Sequence, residues 1–396
     1  MMAKDRADGE GTVFQRPNGR WTAKLRYIDP ATGEYKRASA TADTKKLALK
    51  ELGEVRKRIE SGAPARDAKT PLGEWAALWR QSSLPASSRA ASTREMYANL
   101  CRKWVEGDAT LSVIRLDRLK AVDIEKFLVD LRAKTKPGLP VNGKPGKPVR
   151  ALSDSSIRSI YVVLRAVLDI AKRDGLIAKN PAAAVARPGV ARREAEYLTA
   201  DQTDALLAQC AESRHYAALV LIASTGIRRG EALGLAFKDI HWSRATFTIR
   251  NTLGRVEGKL TLSPPKTERS RRTLPLSPEL VTMLRGIQAD QKASAEKLGD
   301  EWNNPDGLVF VTEFGRPIDP RNLTRTVTEA ATKAGLTDVT GPHMLRHGAA
   351  TQLLENGVHV KAVSDILGHS SIAITGDIYG HSSQDHLREA LQGIRR

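Results

Sequence analysis

The sequence predicts a multidomain protein, mainly α with small β-sheets, and three observations carry that prediction. The chain has 396 residues, more than the roughly 100–200 of one domain. Strict apolar–polar alternation is confined to short stretches around residues 21–28 and 246–276, while apolar stripes spaced four and three apart recur elsewhere, as helices require. Charge divides the chain as well. Residues 1–70 carry 16 Lys and Arg against 10 Asp and Glu, residues 71–190 carry 21 against 11, and residues 191–396 carry 26 against 24.

The opening segment reads as a small α+β domain, a three-stranded sheet plus a helix over residues 1–66. Trp21, Ala23, Leu25 and Tyr27 alternate with Thr22, Lys24 and Arg26, which predicts a half-buried strand with a basic outer face. Turn signals flank it at Pro17-Asn18-Gly19 and from Asp29 to Gly33. Ala48, Leu52, Val55 and Ile59 then make one helical stripe behind an Asp43 or Thr44 cap. Ser61-Gly62-Ala63-Pro64 reads as a linker.

Residues 70–186 read as helical. Leu72, Trp75 and Trp79 share a face, and Ser92 with Glu95 suggests a capping box ahead of Met96, Leu100 and Trp104. Ile124, Phe127, Leu128 and Leu131 form another stripe. Ile157, Ile160, Tyr161, Leu164 and Leu168 define a long helix after Ser153. Between Lys136 and Arg150, four prolines, three glycines and several basic residues predict a loop, either mobile or DNA-facing. A mixed α/β domain over 195–396 follows. Thr199 and Gln202 cap its first helix, TFTI, KLTL and RTLPL read as strands, and helices broken at Gly357, Gly368 and Gly380 close the chain.

Composition excludes several classes. A net charge of +18 points to a polyanion, with nucleic acid the commonest. An apolar content of 41% supports real cores. Cys101 and Cys210 cannot form a disulfide framework and suit a reducing cytoplasm. The first ten residues lack an apolar signal region, and the longest apolar run, 217–223, falls far short of the roughly 20 residues of a membrane span. A cytoplasmic protein with no membrane partner is expected.

Chemistry-bearing patterns concentrate in the second half. There is no P-loop, no HExxH and no zinc-spaced Cys/His cluster, so neither metal nor other cofactor is expected. TGIRRGEALGL sets Arg228 and Glu231 three apart at a helix start, where a carboxylate can hold a guanidinium. An ordinary helical ion pair has the same spacing. HMLRH puts His343, Arg346 and His347 on one helical face, which a surface cluster would also do. Lys266 lies in PKTERSRR between two expected strands, and His369 precedes Tyr379 by ten residues in LGHSSIAITGDIYGH. Each alone is weak; their joint order is not.

With these strings the chain resembles a tyrosine recombinase of the phage-integrase type. The family's ordered Arg, Lys, His-x-x-Arg, His and Tyr fall on Arg228, Lys266, His343, Arg346, His369 and Tyr379, and LRHGAAT matches as well. The helical segment resembles the family's core-binding domain, and residues 11–60 its arm-type DNA-binding domain. The resemblance implies that Tyr379 attacks a phosphodiester, giving a 3′-phosphotyrosyl link and a free 5′ hydroxyl. It gives Arg228 and Arg346 the phosphate, His343 the role of base, His369 that of a phosphate donor and Lys266 that of general acid. Chemistry suits the set. With a pKa near 10, tyrosine is about 0.1% phenolate at pH 7, a cost of about 4 kcal/mol that nearby positive charge or a base must offset.

Other expectations follow from the same resemblance. Double-stranded DNA is the partner at core and arm-type sites, with Lys24, Arg26, Arg150 and Arg158 as candidate DNA contacts. A homotetramer on DNA is expected, with accessory DNA-bending or excision factors as further candidates and a nucleoid-associated location. Leu387, Leu391 and Ile394 form one apolar stripe after Tyr379, which must dock either on its own domain or, as the resemblance implies, on a neighbouring protomer. Type IB topoisomerase-like relaxation and a non-catalytic DNA-binding regulator are the alternatives.

Overall fold

The computed structural model describes residues 12–28, 35–60, 69–141, 144–191, 197–265 and 270–368. The chain divides into two compact units, residues 1–191 and 192–396. Among the described residues no helix is long and apolar enough to cross a membrane.

The first unit opens with an antiparallel sheet in the order β1-β2-β3, formed by Thr12–Gln15, Trp21–Ile28 and Tyr35–Ala42. Ala23, Leu25, Ala40 and Ala42 pack against Ala48 and Leu52 of α1, Lys45–Glu60, so the alternation around Trp21 and the stripe in α1 meet as predicted. Thr44 accepts a bond from the Leu47 amide at the start of α1. On the outer face Lys24 and Arg26 are exposed, but Thr22 is buried and bonds Thr41 across the strands at 3.0 Å. The expected linker at 61–64 lies outside the described residues.

A separate apolar core unites α2 (Leu72–Gln81), α3 (Ala91–Leu100), α4 (Ala121–Ala133) and α5 (Asp154–Arg173). The predicted faces of α2, α4 and α5 are all buried. Two buried aromatics carry polar tips, and both are satisfied. The Trp75 indole donates to the Val167 carbonyl at 3.1 Å, and the Tyr161 hydroxyl donates to Ala182 at 2.8 Å.

Two expectations fail here. Ser92 is not a cap. The Ala90 carbonyl already accepts from Thr93 and Arg94, so the first turn of α3 closes ahead of Ser92. The described residues between 136 and 150 do not form a loop. They belong to an antiparallel hairpin, β4 (Thr135–Val141) with β5 (Lys144–Arg150), whose ladder steps over its prolines through register shifts.

The second unit is mixed. Its core joins α6 (Ala200–Ala208), α7 (Tyr216–Thr225), α9 (Pro278–Leu298), α10 (Pro320–Lys333) and α11 (His343–Glu355) around Phe247 and Leu274. A small sheet runs β10-β7-β6 and a hairpin pairs β8 with β9. These strands are Ile240–His241 for β6, Thr246–Thr248 for β7, Thr252–Val256 for β8, Lys259–Ser263 for β9 and Thr273–Pro275 for β10. The sequence foresaw β7, β9 and β10 but neither β6 nor β8. Thr199 caps α6 with Gln202 as predicted. The short α8 (Arg229–Leu233) and α12 (Val360–Leu367) complete the frame of the site.

Candidate active site

Burial of α7 fixes the first catalytic candidate. Ala218, Leu219, Leu221 and Ile222 bury more than one face of that helix, which anchors it in the core. It ends at Gly226, left-handed with φ +66°. A Cβ there would stand 2.7 Å from the Leu367 side chain, so only glycine fits both the turn and the approach. Arg228 follows in extended conformation as the N-cap of α8. Its backbone amide donates to Glu231 Oε2 at 2.9 Å and its Nη1 to Oε1 at 2.8 Å. The other end of the guanidinium, Nη2, donates to the Gly368 carbonyl at 3.2 Å.

Glu231 is only 3% exposed and holds two guanidiniums. Arg272 Nη2 reaches its Oε2 at 3.0 Å and Nη1 its Oε1 at 3.3 Å. Burial alone would raise the Glu231 pKa, but the charge and hydrogen bonds of Arg272, followed by those of Arg228, hold it below the usual range. Arg272 also donates to the carbonyls of Ile366 and Ser270. It thereby ties Ser270, just ahead of β10, to the end of α12.

α11 supplies the second group. Arg346, 3% exposed, donates from Nη1 to the Gly226 carbonyl at 2.7 Å and from Nη2 to the Leu367 carbonyl at 3.0 Å. His343 and His347 meet edge to face with centroids 4.3 Å apart. Desolvation against the cleft wall, then the Arg346, Arg228 and Arg229 guanidiniums, hold the His343 pKa below its ordinary value. His347, more enclosed and beside His343 and Arg346, is pushed down to about 4.

Arg228, His343 and Arg346 line one open cleft of about 630 Å³, together with Arg229, Arg255 and Asp319. Arg255 pairs with Asp319, and Arg229 bonds the Thr324 hydroxyl. A wall rich in fixed guanidiniums suits the non-bridging oxygens of a phosphodiester. Residues 196–386 match the phage integrase family. These comparisons support a tyrosine recombinase of that family.

Relatives extend over most of the chain. A XerC-like tyrosine recombinase of Caldanaerobacter subterraneus subsp. tengcongensis is 29% identical over 355 residues, covering 85% of this chain and 86% of its own length. The tyrosine recombinase XerD of Mycobacterium tuberculosis is 28% identical over 313 residues, covering 77% and 91%. Among solved structures, the Tn1549 transposon integrase in complex with a circular intermediate DNA superimposes with a TM-score of 0.64 at 22% identity, over 82% of this chain and 99% of that one. A lambda integrase dimer bound to a COC′ core site gives 0.55 at 19%, over 96% and 98%. These structural likenesses establish the phage-integrase fold.

The structure thus brings together three of the six predicted catalytic residues, Arg228, His343 and Arg346. Lys266, His369 and Tyr379 lie outside the described residues, although the described Gly368, next to His369, accepts the bond from Arg228. The candidate DNA contacts differ among themselves. Lys24 and Arg26 stand over the rings of Phe14 and Tyr35, at 5.1 and 4.1 Å from the ring centroids. Arg150 pairs with Asp154 at 2.8 Å, and Arg158 donates to the Pro188 carbonyl at 2.8 Å. Sequence reasoning missed Arg272. Arg269, Arg271 and Arg272 crowd one string, and nothing local distinguishes the one that is buried.

Proposed function

We propose that this chain cuts and rejoins DNA at specific sites, with Tyr379 forming a 3′-phosphotyrosyl link and releasing a 5′ hydroxyl. The observation that carries the reading is the cleft itself, where two backbone- or carboxylate-anchored guanidiniums stand beside a histidine of lowered pKa. The Tyr379 oxygen forms the new P–O bond as the 5′ oxygen leaves, and charge develops on the non-bridging oxygens. Arg228 and Arg346, already fixed, meet that charge without reorganising. A histidine held neutral at pH 7 can take the phenol proton, which suits His343 as base. Lys266 then protonates the leaving 5′ oxygen and His369 donates to the phosphate. The covalent link conserves the phosphodiester energy, so the reaction calls for neither ATP nor metal.

In this reading residues 1–66 bind arm-type DNA through Lys24 and Arg26, residues 70–186 grip the core site with Arg150 and Arg158, and residues 195–396 carry the chemistry. A likeness to a lambda integrase over 96% of the chain, together with the basic sheet at its start, supports integration of a mobile element over a chromosomal role of the XerC or XerD kind. A cytoplasmic, nucleoid-associated homotetramer on DNA, with the tail after Tyr379 docked on a neighbour and DNA-bending or excision factors beside it, completes the proposal. The test is a plasmid carrying the paired ends of the protein's own element. Recombinant junctions are expected from the wild type and none from Tyr379→Phe. Relaxation of the plasmid without recombinants would favour a type IB topoisomerase, and neither product would favour a DNA-binding regulator.

A further inference from the structure

Three successive carbonyls at the end of α12 each accept a bond from a guanidinium. Arg272 Nε donates to Ile366, Arg346 Nη2 to Leu367 at 3.0 Å and Arg228 Nη2 to Gly368 at 3.2 Å. The last carbonyls of a helix have no partner inside it and carry its negative partial charge, so cations suit them. These cations come from 21 to 140 residues away. The Gly368 amide meanwhile bonds the Ser364 and Asp365 carbonyls.

Arg228 and Arg346 line the cleft, whereas Arg272, its side chain 8% exposed, does not. Its surroundings say what it does instead. α12 has eight residues, and its Val363 and Leu367 share a small apolar cluster with Ala350. So short a helix is marginal by itself, and the bonds at its end decide where that end sits. Arg228 and Arg346 cannot be positioned by carbonyls that they alone position.

Arg272 supplies the outside reference. Its own carbonyl accepts the amide of buried Ile249 at 2.9 Å, and Thr273 after it begins β10, paired with β7. Its guanidinium donates to the Ser270 carbonyl at 3.1 Å and to both oxygens of Glu231, which in turn hold Arg228. Arg272 therefore reaches Arg228 by two routes, through Glu231 and through the end of α12.

We infer that Arg272 is a positioning residue, a staple that carries the rigidity of the β7–β10 pair to the end of α12 and so sets Arg228 and Arg346 toward the phosphate. The inference rests on the strand-cleavage reading above, in which those two guanidiniums meet charge on the non-bridging oxygens. Neutralising Glu231 is the simpler role, and lysine separates the two. A lysine keeps the charge, but its compact ammonium cannot span Glu231, Ser270 and Ile366 as the planar guanidinium does.

Single-turnover cleavage of a nicked core duplex is measured for full-length wild type and Arg272→Lys. Each is given the ordinary phosphodiester and a methylphosphonate at the scissile position, whose methyl group removes the charge a guanidinium would meet. On the phosphodiester Arg272→Lys is expected to be about 10²-fold slower, the cost of misplacing a group by about 1 Å, with duplex affinity and thermal midpoint near wild type. On the methylphosphonate most of the deficit relative to wild type should vanish, because less charge awaits the misplaced guanidiniums. A wild-type rate in the variant, or an equal deficit on both substrates, overturns the staple while leaving the function standing. Should Arg272→Lys fail to fold, Gly368→Ala, whose Cβ would stand 2.8 Å from Arg272 Nη1, is read in the same way. A wild type that forms no covalent adduct with the duplex overturns the function instead.

Discussion

Arg346 is a buried cation whose two terminal nitrogens are held by the carbonyls of Gly226 and Leu367, so its position is set before any substrate arrives. Arg228 is set by Glu231 in the same way. Losing one such preorganised donor typically costs about 10²–10³ in rate, and Arg228→Ala and Arg346→Ala should each slow DNA cleavage by that much in single-turnover assays. Cleavage near the wild-type rate would make the guanidiniums structural. His347 gives a stability test. Its folded pKa of about 4 lies below the unfolded value near 6.5, so the unfolded chain binds the extra proton between those values. Stability from this residue is full above pH 6.5 and is lost as pH falls toward 4, about 2 kcal/mol by pH 5. Urea midpoints at pH 7 and pH 5 should therefore diverge more in wild type than in His347→Asn. At this scale the sequence was legible wherever partners were local. Arg228 with Glu231 and His343 with Arg346 are three apart, whereas Arg272 reaches Glu231 across 41 residues and left no trace in spacing.

Elements were legible where one face is buried and illegible where backbone bonds decided. The stripes of α2, α4 and α5 appear as written because hydrophobic burial follows the helical period. Ser92 misled because Ala90 nucleated α3 with its carbonyl, without any side chain. The Pro- and Gly-rich stretch at 136–150 misled because a hairpin can step over prolines by register shifts, a feature of pairing rather than of composition. The end of α12 offers an element-scale test. Gly368 is left-handed at φ +65°, and a Cβ there would stand 2.8 Å from Arg272 Nη1. Gly368→Ala should thus displace Arg272 from Glu231, slowing cleavage while duplex affinity stays within about twofold. Equal loss of both would place Gly368 in folding rather than in the site.

Across the whole molecule, charge asymmetry was the most legible property. The first 190 residues carry nearly all of the +18, and the family assignment of the second half makes DNA the natural reading of that excess. Deleting residues 1–66 should abolish footprints on a flanking site while core cleavage stays measurable; coincident footprints of truncated and full-length protein would remove the second site. The half of the catalytic set at Lys266, His369 and Tyr379 rests on motif order, and one measurement addresses it most directly. Wild-type protein is trapped on a nicked core duplex, digested with trypsin and nuclease, and the nucleotide-bearing peptide is sequenced by mass spectrometry. The account predicts a nucleotide joined through its 3′ phosphate to Tyr379. A nucleotide on any other side chain, or one joined through its 5′ phosphate, would contradict it.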